Sequence, residues 1–127
     1  MIVLDASAAV SALLNDGEAR RLVASESLHV PHLIDVEVLS AIRRQAFASE
    51  LSTSQAERVL DVWGRIGLVR YAAGPLLARA WALRDSVTAC DAIYVALAEF
   101  LDCALVTADA RLAGASGKLC ATTVVPG

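Results

Sequence analysis

Residues 1–10 read "MIVLDASAAV". A short apolar run ends on Asp5, and small residues follow it. Ile2–Leu4 fits a buried strand, and the small residues fit a tight turn into a helix over Ala6–Leu14. Packing accounts for every residue of this unit except the acid. No basic residue lies within ten positions of Asp5, so a carboxylate at the end of a hydrophobic run needs some other partner.

The rest of the chain repeats this alternation. Strands are predicted at Ile2–Leu4, Leu28–Val30, Leu68–Tyr71, Ala104–Thr107 and Thr123–Val125. Helices are predicted near Ala6–Leu14, Glu18–Ser25, His32–Ala48, Ser54–Ile66, Pro75–Asp85 and Ala89–Leu101. Short apolar runs alternating with segments of helical period define an α/β fold with a parallel sheet. Thr53 reads as the cap of the helix beginning "SQAERVL", with Glu57 in its first turn. Gly74-Pro75 punctuates the next start, where proline is tolerated. "LAGASGKL", residues 112–119, has the glycines and lysine of a phosphate loop but not their spacing. Leu112 and Leu119 stand where that loop needs Gly and Ser or Thr, and the segment reads as a surface turn.

A chain of 127 residues is read as one domain spanning 1–127. Its 57% hydrophobic and 20% charged content fits a packed globule and excludes a disordered chain. No run approaches the roughly 18 apolar residues of a membrane span. No basic residue precedes the first apolar run, as a secretory leader would require. The expectation is a cytoplasmic protein with no membrane partner. Three cysteines without a C-x-x-C pair read as small buried hydrophobes. His29 and His32 lack the second pair that a zinc site needs. A net charge of −3 excludes binding nucleic acid through bulk charge alone. Ten of the 11 basic residues are arginine, which suits bidentate phosphate contact and equally reflects a genome that favours Arg and Ala.

Ligands of an open parallel sheet bind outside the carboxyl ends of its strands. Asp5 ends the first predicted strand, and Asp109 follows the fourth in "CALVTADARL", so both acids belong at one sheet edge. Asp91 follows Thr88 by three residues, the spacing of a capping box. That places it in the first turn of a helix, where it serves either the cap and helix dipole or the same edge. Glu37 lies one to two turns into a helix that buries Ile34, Val38 and Ile42. Asp35, nearer the start of that helix, reads as a solvated first-turn acid. Two like charges about 4 Å apart repel by roughly 4 kcal/mol at an effective dielectric of 20. Four such acids persist together only by taking up protons or holding a cation. Oxygen ligands select hard ions, so Mg²⁺ or Mn²⁺ is the expected guest.

With "VLDASA" (3–8), "VEVLSAIRR" (36–44), "TACDAIYVALAE" (88–99) and "LVTADARL" (105–112) in order, the sequence resembles the PIN-domain ribonucleases, specifically the VapC-type toxins of toxin–antitoxin pairs. The resemblance covers essentially the whole chain. It implies a three-layer α/β/α sandwich with a central parallel sheet and an acidic pocket. Asp5, Glu37, Asp91 and Asp109 would be the four catalytic and metal-binding acids, with Asp5 and Asp91 the firmest ligands. Ser7 and Thr107 would be polar supports near metal or phosphate, although a strand-end threonine also follows from β-propensity. Cys90 would alter pocket shape and could make the protein oxidation-sensitive.

The activity so implied is Mg²⁺-dependent endoribonuclease cleavage of RNA, leaving a 5′-phosphate and a 3′-hydroxyl, with growth held back through translation. The ion would supply an acidified water and charge neutralisation, with Glu37 or Asp109 as general base. Arg43, Arg44, Arg84 and Arg111 are candidate contacts to the RNA backbone. Aromatic content of 5% leaves base stacking a minor part, so RNA shape would set substrate choice. A VapB-type antitoxin and a homodimer are the implied partners. "SQAERVLDVWGRIG" (54–67) and "PLLARAWALRDS" (75–86) are amphipathic, and their apolar faces around Val59, Leu60, Trp63, Leu76, Leu77 and Trp81 serve either packing within the domain or a partner.

Three other readings share part of this pattern. A haloacid-dehalogenase-type phosphotransferase needs a second acid two residues after Asp5, where Ser7 stands. A receiver domain needs an acceptor Asp after its middle strand, where Arg70-Tyr71-Ala72 offers none. A catalytically weak PIN-like scaffold that binds metal or RNA under a partner's control is the non-enzymatic alternative.

Overall fold

The computed structural model describes all residues, Met1–Gly127. Five strands form one sheet: β1 (Ile2–Leu4), β2 (Leu28–Pro31), β3 (Val69–Tyr71), β4 (Ala104–Thr107) and β5 (Thr122–Val124). Their order is β3-β2-β1-β4-β5, and every neighbouring pair is parallel. Between them run α1 (Ala6–Leu14), α2 (Glu18–Ser25), α3 (Leu33–Phe47), α4 (Thr53–Arg65), α5 (Leu77–Ala82), α6 (Ala89–Leu101) and α7 (Ala110–Ser116). Right-handed crossovers put α1–α4 on one face and α5–α7 on the other. This is the expected three-layer α/β/α arrangement.

The central strands are apolar throughout because helices cover both faces. Val3, Leu4, Val30 and Leu105 have no exposed surface. Helix α6 is buried along one continuous stretch, Ala92–Ala98, which makes it the central element of its layer. The edge strands are more exposed: Val69 and Arg70 in β3, and Val124 in β5, face solvent. The chain moves from β1 through β2 to β3 in one direction, then returns across β1 to place β4 and β5. The order therefore reverses between β1 and β4, the position where open α/β sheets bind ligands. Asp5 and Thr107 sit at the carboxyl ends of those two strands.

Several boundaries differ from the sequence reading, each for a local reason. Ser52, not Thr53, caps α4. Its hydroxyl accepts from the Gln55 N–H, and the Gln55 side chain returns to the Ser52 N–H at 2.8 Å. That reciprocal box favours the earlier start and puts Glu57 beyond the first turn. The predicted helix at Pro75–Asp85 is a 3₁₀ turn over Gly74–Leu76, with proline in its opening positions, followed by the short α5. Residues 110–116 are helical and not part of a surface turn. Asp109 caps them, and Leu112 and Ser116, one turn apart, are buried. The cysteines are not core residues: Cys90 is exposed, while Cys103 and Cys120 are half-buried. Trp63 is buried against the core, whereas Trp81 and Leu77 remain largely exposed. No helix is long and apolar enough to cross a membrane.

Candidate active site

Helices that follow parallel strands run back antiparallel to them, so their N-termini gather at the carboxyl edge of the sheet. Asp5 is the N-cap of α1 and Asp109 the N-cap of α7. Asp91 lies in the first turn of α6, and Glu37 is the fifth residue of α3. All four sequence-predicted acids are thus brought to one end of the sheet by the same topological rule.

Asp5 is the most constrained. Its Oδ1 accepts from the Ser7 hydroxyl at 2.7 Å and the Ala8 N–H at 2.9 Å, and its Oδ2 accepts from the Thr107 hydroxyl at 2.6 Å. Ser7 Oγ also accepts from the Ala108 N–H at 2.9 Å, and Thr107 Oγ1 accepts from the Asp109 N–H at 3.0 Å. With each hydroxyl proton committed to Asp5, the two side chains tie the turn after β1 to the turn after β4. Burial pushes the Asp5 carboxyl up from its ordinary range, the three donors pull it back, and the Asp91 charge pushes it up again. The donors are neutral, so they hold the carboxylate without cancelling its charge.

Glu37 reaches across to α6, where the Tyr94 hydroxyl donates to its Oε1 at 2.6 Å. Burial raises the Glu37 carboxyl, the Tyr94 bond opposes this, and the charges of Asp5 and Asp91 add to the rise. The Tyr94 hydroxyl is in turn held strongly in its protonated form by burial and by Glu37. Tyr94 was not among the sequence candidates. Its position one turn after Asp91, on the buried side of α6, was the available signal.

Arg111 supplies the positive charge at this end. Its Nη2 lies 3.2 Å from Asp91 Oδ2 and 3.3 Å from Asp109 Oδ2. The other arginines named from sequence separate. Arg44 lines a groove of about 480 Å³ between α1 and α3, together with Ser7, Glu37 and Ser40. Arg43, one position away, turns off the groove and stacks over Phe47 at 4.5 Å. Arg84 stacks over Trp81 at 4.7 Å. Cys90 lies beside the acids, and partial burial with the charges of Glu37 and Asp91 pushes its thiol up. That lowers its thiolate fraction and weakens the expectation of an oxidation-prone site.

Asp35 corrects the reading of a solvated acid. It accepts from Trp63 Nε1 at 2.9 Å and from Arg70 Nε and Nη2 at 2.8 and 2.9 Å. It ties α3 to α4 and β3, and Arg70 holds its carboxyl below the usual range.

The donor set suits a hard divalent cation. All candidate ligands are carboxylate oxygens. Asp5 uses three of its roughly four acceptor positions, and Glu37 pairs through one oxygen only. No three acidic, histidine or cysteine side chains close on a single point in this conformation; Arg111 bridges two of the acids instead.

The PIN domain family matches residues 2–118, and the chain belongs to that family. Within it, Ribonuclease VapC9 of Mycobacterium tuberculosis is 52% identical over 126 residues, covering 99% of both chains. That level of identity over the full length places the chain among the VapC ribonucleases. Two solved structures share the fold. M. tuberculosis VapC20, described as a sarcin-ricin loop cleaving toxin, has a TM-score of 0.67 at 17% identity, covering 91% of this chain and 95% of that one. VapBC2 from Rickettsia felis, bound to a DNA fragment from its promoter, has a TM-score of 0.69 at 13% identity, covering 98% and 99%.

Proposed function

We propose that this chain is a Mg²⁺-dependent endoribonuclease and the toxin of a VapBC-type pair, which slows growth by cleaving an RNA needed for translation. The observation that carries this reading is Asp5: a buried carboxylate with three neutral donors and no cation of its own, raised by the Asp91 charge and in turn raising Glu37. Such an arrangement is unfavourable until a cation arrives.

Asp5 and Asp91 would hold Mg²⁺, or Mn²⁺, with Glu37 and Asp109 completing the set. The ion supplies an acidified water and neutralises charge on the scissile phosphate. Ser7 and Thr107 fix the Asp5 carboxylate so that it does not rotate when its partner changes. The Tyr94 bond favours the ionised form of Glu37 and aims it, which suits Glu37 to accept a proton from the attacking water. Arg44, in the groove beside Glu37, would hold the RNA backbone; Arg43, on the flank of α3, would do so only outside the groove. The full-length likeness to VapC9 supports a VapB-type antitoxin as partner. The exposed Leu77 and Trp81 on α5 would offer an apolar surface to a partner, the antitoxin or a second copy in a homodimer.

The test is cleavage of total RNA by purified, antitoxin-free protein with Mg²⁺, with Mn²⁺ and with EDTA. Cleavage should require the ion and leave 5′-phosphate ends. Asp5→Asn and Asp91→Asn should lower it by about 10³-fold, since metal-borne charge stabilisation is worth several kcal/mol, with unchanged circular dichroism. Undiminished cleavage in both variants, or full activity in EDTA, overturns the assignment.

A further inference from the structure

We infer that Arg111 acts as a built-in counter-cation for Asp91 and Asp109, and that a divalent ion binding through Asp109 must displace it. The inference rests on the metal-dependent reading above and concerns how that site is guarded.

The geometry singles out one atom. Asp109 Oδ1 is already committed to the start of α7, accepting the N–H groups of Arg111 at 2.9 Å and Leu112 at 3.3 Å. Only Oδ2 of Asp109 remains for a ligand, and Arg111 Nη2 occupies it. The same nitrogen also takes Asp91 Oδ2. A cation that draws on Asp109, or on Asp91 through Oδ2, therefore competes for the oxygens that Arg111 holds. Two cations sharing these oxygens would also repel each other at contact distance.

Arg111 is built to leave. The chain has two arginines that grip a carboxylate with both arms of the fork: Arg70 on Asp35 at 2.8 and 2.9 Å, and Arg79 on Glu99 at 2.8 and 3.1 Å. Arg111 instead spreads one nitrogen over two acids at 3.2 and 3.3 Å, with its side chain 65% exposed. A fork bonded through one nitrogen forgoes the geometry that makes such pairs strong. It offsets the charge of Asp91 and Asp109 without locking them.

Mn²⁺ binding to the antitoxin-free chain, measured by titration calorimetry without RNA, reads this directly. Arg111→Gln should bind Mn²⁺ about three- to tenfold more tightly than wild type, the scale of losing one exposed competing pair. Arg111→Lys, which keeps the charge but not the bridging group, should fall between. Arg44→Gln controls for general electrostatics: Arg44 is near the groove and donates to Ser40, not to an acid, so its change should stay within about twofold. In thermal melts, the stabilisation given by saturating Mn²⁺ should be larger for Arg111→Gln than for wild type. Equal or weaker Mn²⁺ binding by Arg111→Gln, or an equal gain in Arg44→Gln, overturns displacement. If the wild type binds no Mn²⁺, or Asp91→Asn binds it unchanged, the metal reading itself fails and the guard role falls with it.

Discussion

Asp35 and Glu37 stand two residues apart on α3, and their surroundings are opposite. Two residues turn the helix by about 200°, so one acid faces α4 and β3 while the other faces α6. Asp35 meets a guanidinium and an indole N–H, and its carboxyl is held below the ordinary range. Glu37 meets one phenol and two further acids, and its carboxyl is raised. Nearly identical chemistry on one helix thus becomes a structural tie on one side and a site residue on the other. What separates them is whether the fold supplies a cation.

The comparison breaks most visibly in activity. Glu37→Gln should lower RNA cleavage by about 10²–10³-fold, the range for losing a general base or a ligand, while leaving the urea midpoint near wild type. Asp35→Ala should do the reverse. It strands Trp63 Nε1 and frees Arg70, for a loss of about 1–2 kcal/mol once the partly exposed ion pair is discounted for solvent screening, with cleavage within about threefold of wild type. Urea melts and initial rates on the same preparations decide. If both variants lose activity equally, the two acids are not separable and the distinction fails.

A smaller effect sharpens the Glu37 side. Tyr94→Phe removes the only donor to Glu37 and should lower cleavage by about tenfold, as loss of a hydrogen bond that orients a ligand commonly does. The Tyr94 bond lowers the Glu37 carboxyl, so its removal should move the acid limb of the pH–rate profile to higher pH. A loss of rate with an unmoved limb would reduce Tyr94 to packing alone.

The same contrast explains which parts of the molecule could be read from sequence. The strands and the acids Asp5, Asp91 and Asp109 were legible because each follows from a local pattern: an apolar run with an acid at its end, or a cap spacing. Parallel strands then share an edge without further information. Asp35 was not legible, since its partners Trp63 and Arg70 lie 28 and 35 positions away and nothing near Asp35 announces them. Helix α7 was hidden by Gly114 and Gly117, which lower local helix propensity; burial of Leu112 and Ser116 overrides it. The Ser52 cap lost to Thr53 because both types cap well, and only the answering Gln55 side chain decides between them. Arg111 could be named as a basic residue near the site, but its bridge to Asp91 spans 20 positions and depends on how α6 and α7 meet.

The smallest expected effect separates the two acids by sign. Glu37 and Asp5 have raised carboxyls in the folded chain, so the metal-free fold keeps their full stability below the unfolded carboxylate range and loses it as pH rises through their folded values. Asp35 is lowered, so its contribution is present above the unfolded value and is lost as pH falls through the folded one. In EDTA, wild type should therefore gain stability with pH through the Asp35 window and lose some again above the ordinary carboxylate range. Asp35→Ala should remove the rise, and Glu37→Gln should flatten the decline. Urea midpoints taken from pH 3 to 8 measure both slopes, with differences of about 1 kcal/mol or less between variants expected. A decline that survives in Glu37→Gln would assign it to Asp5, and Asp5→Asn would then have to flatten it. A decline left undiminished in both variants would mean that neither acid is strained, removing the physical reason for a cation at this end of the sheet.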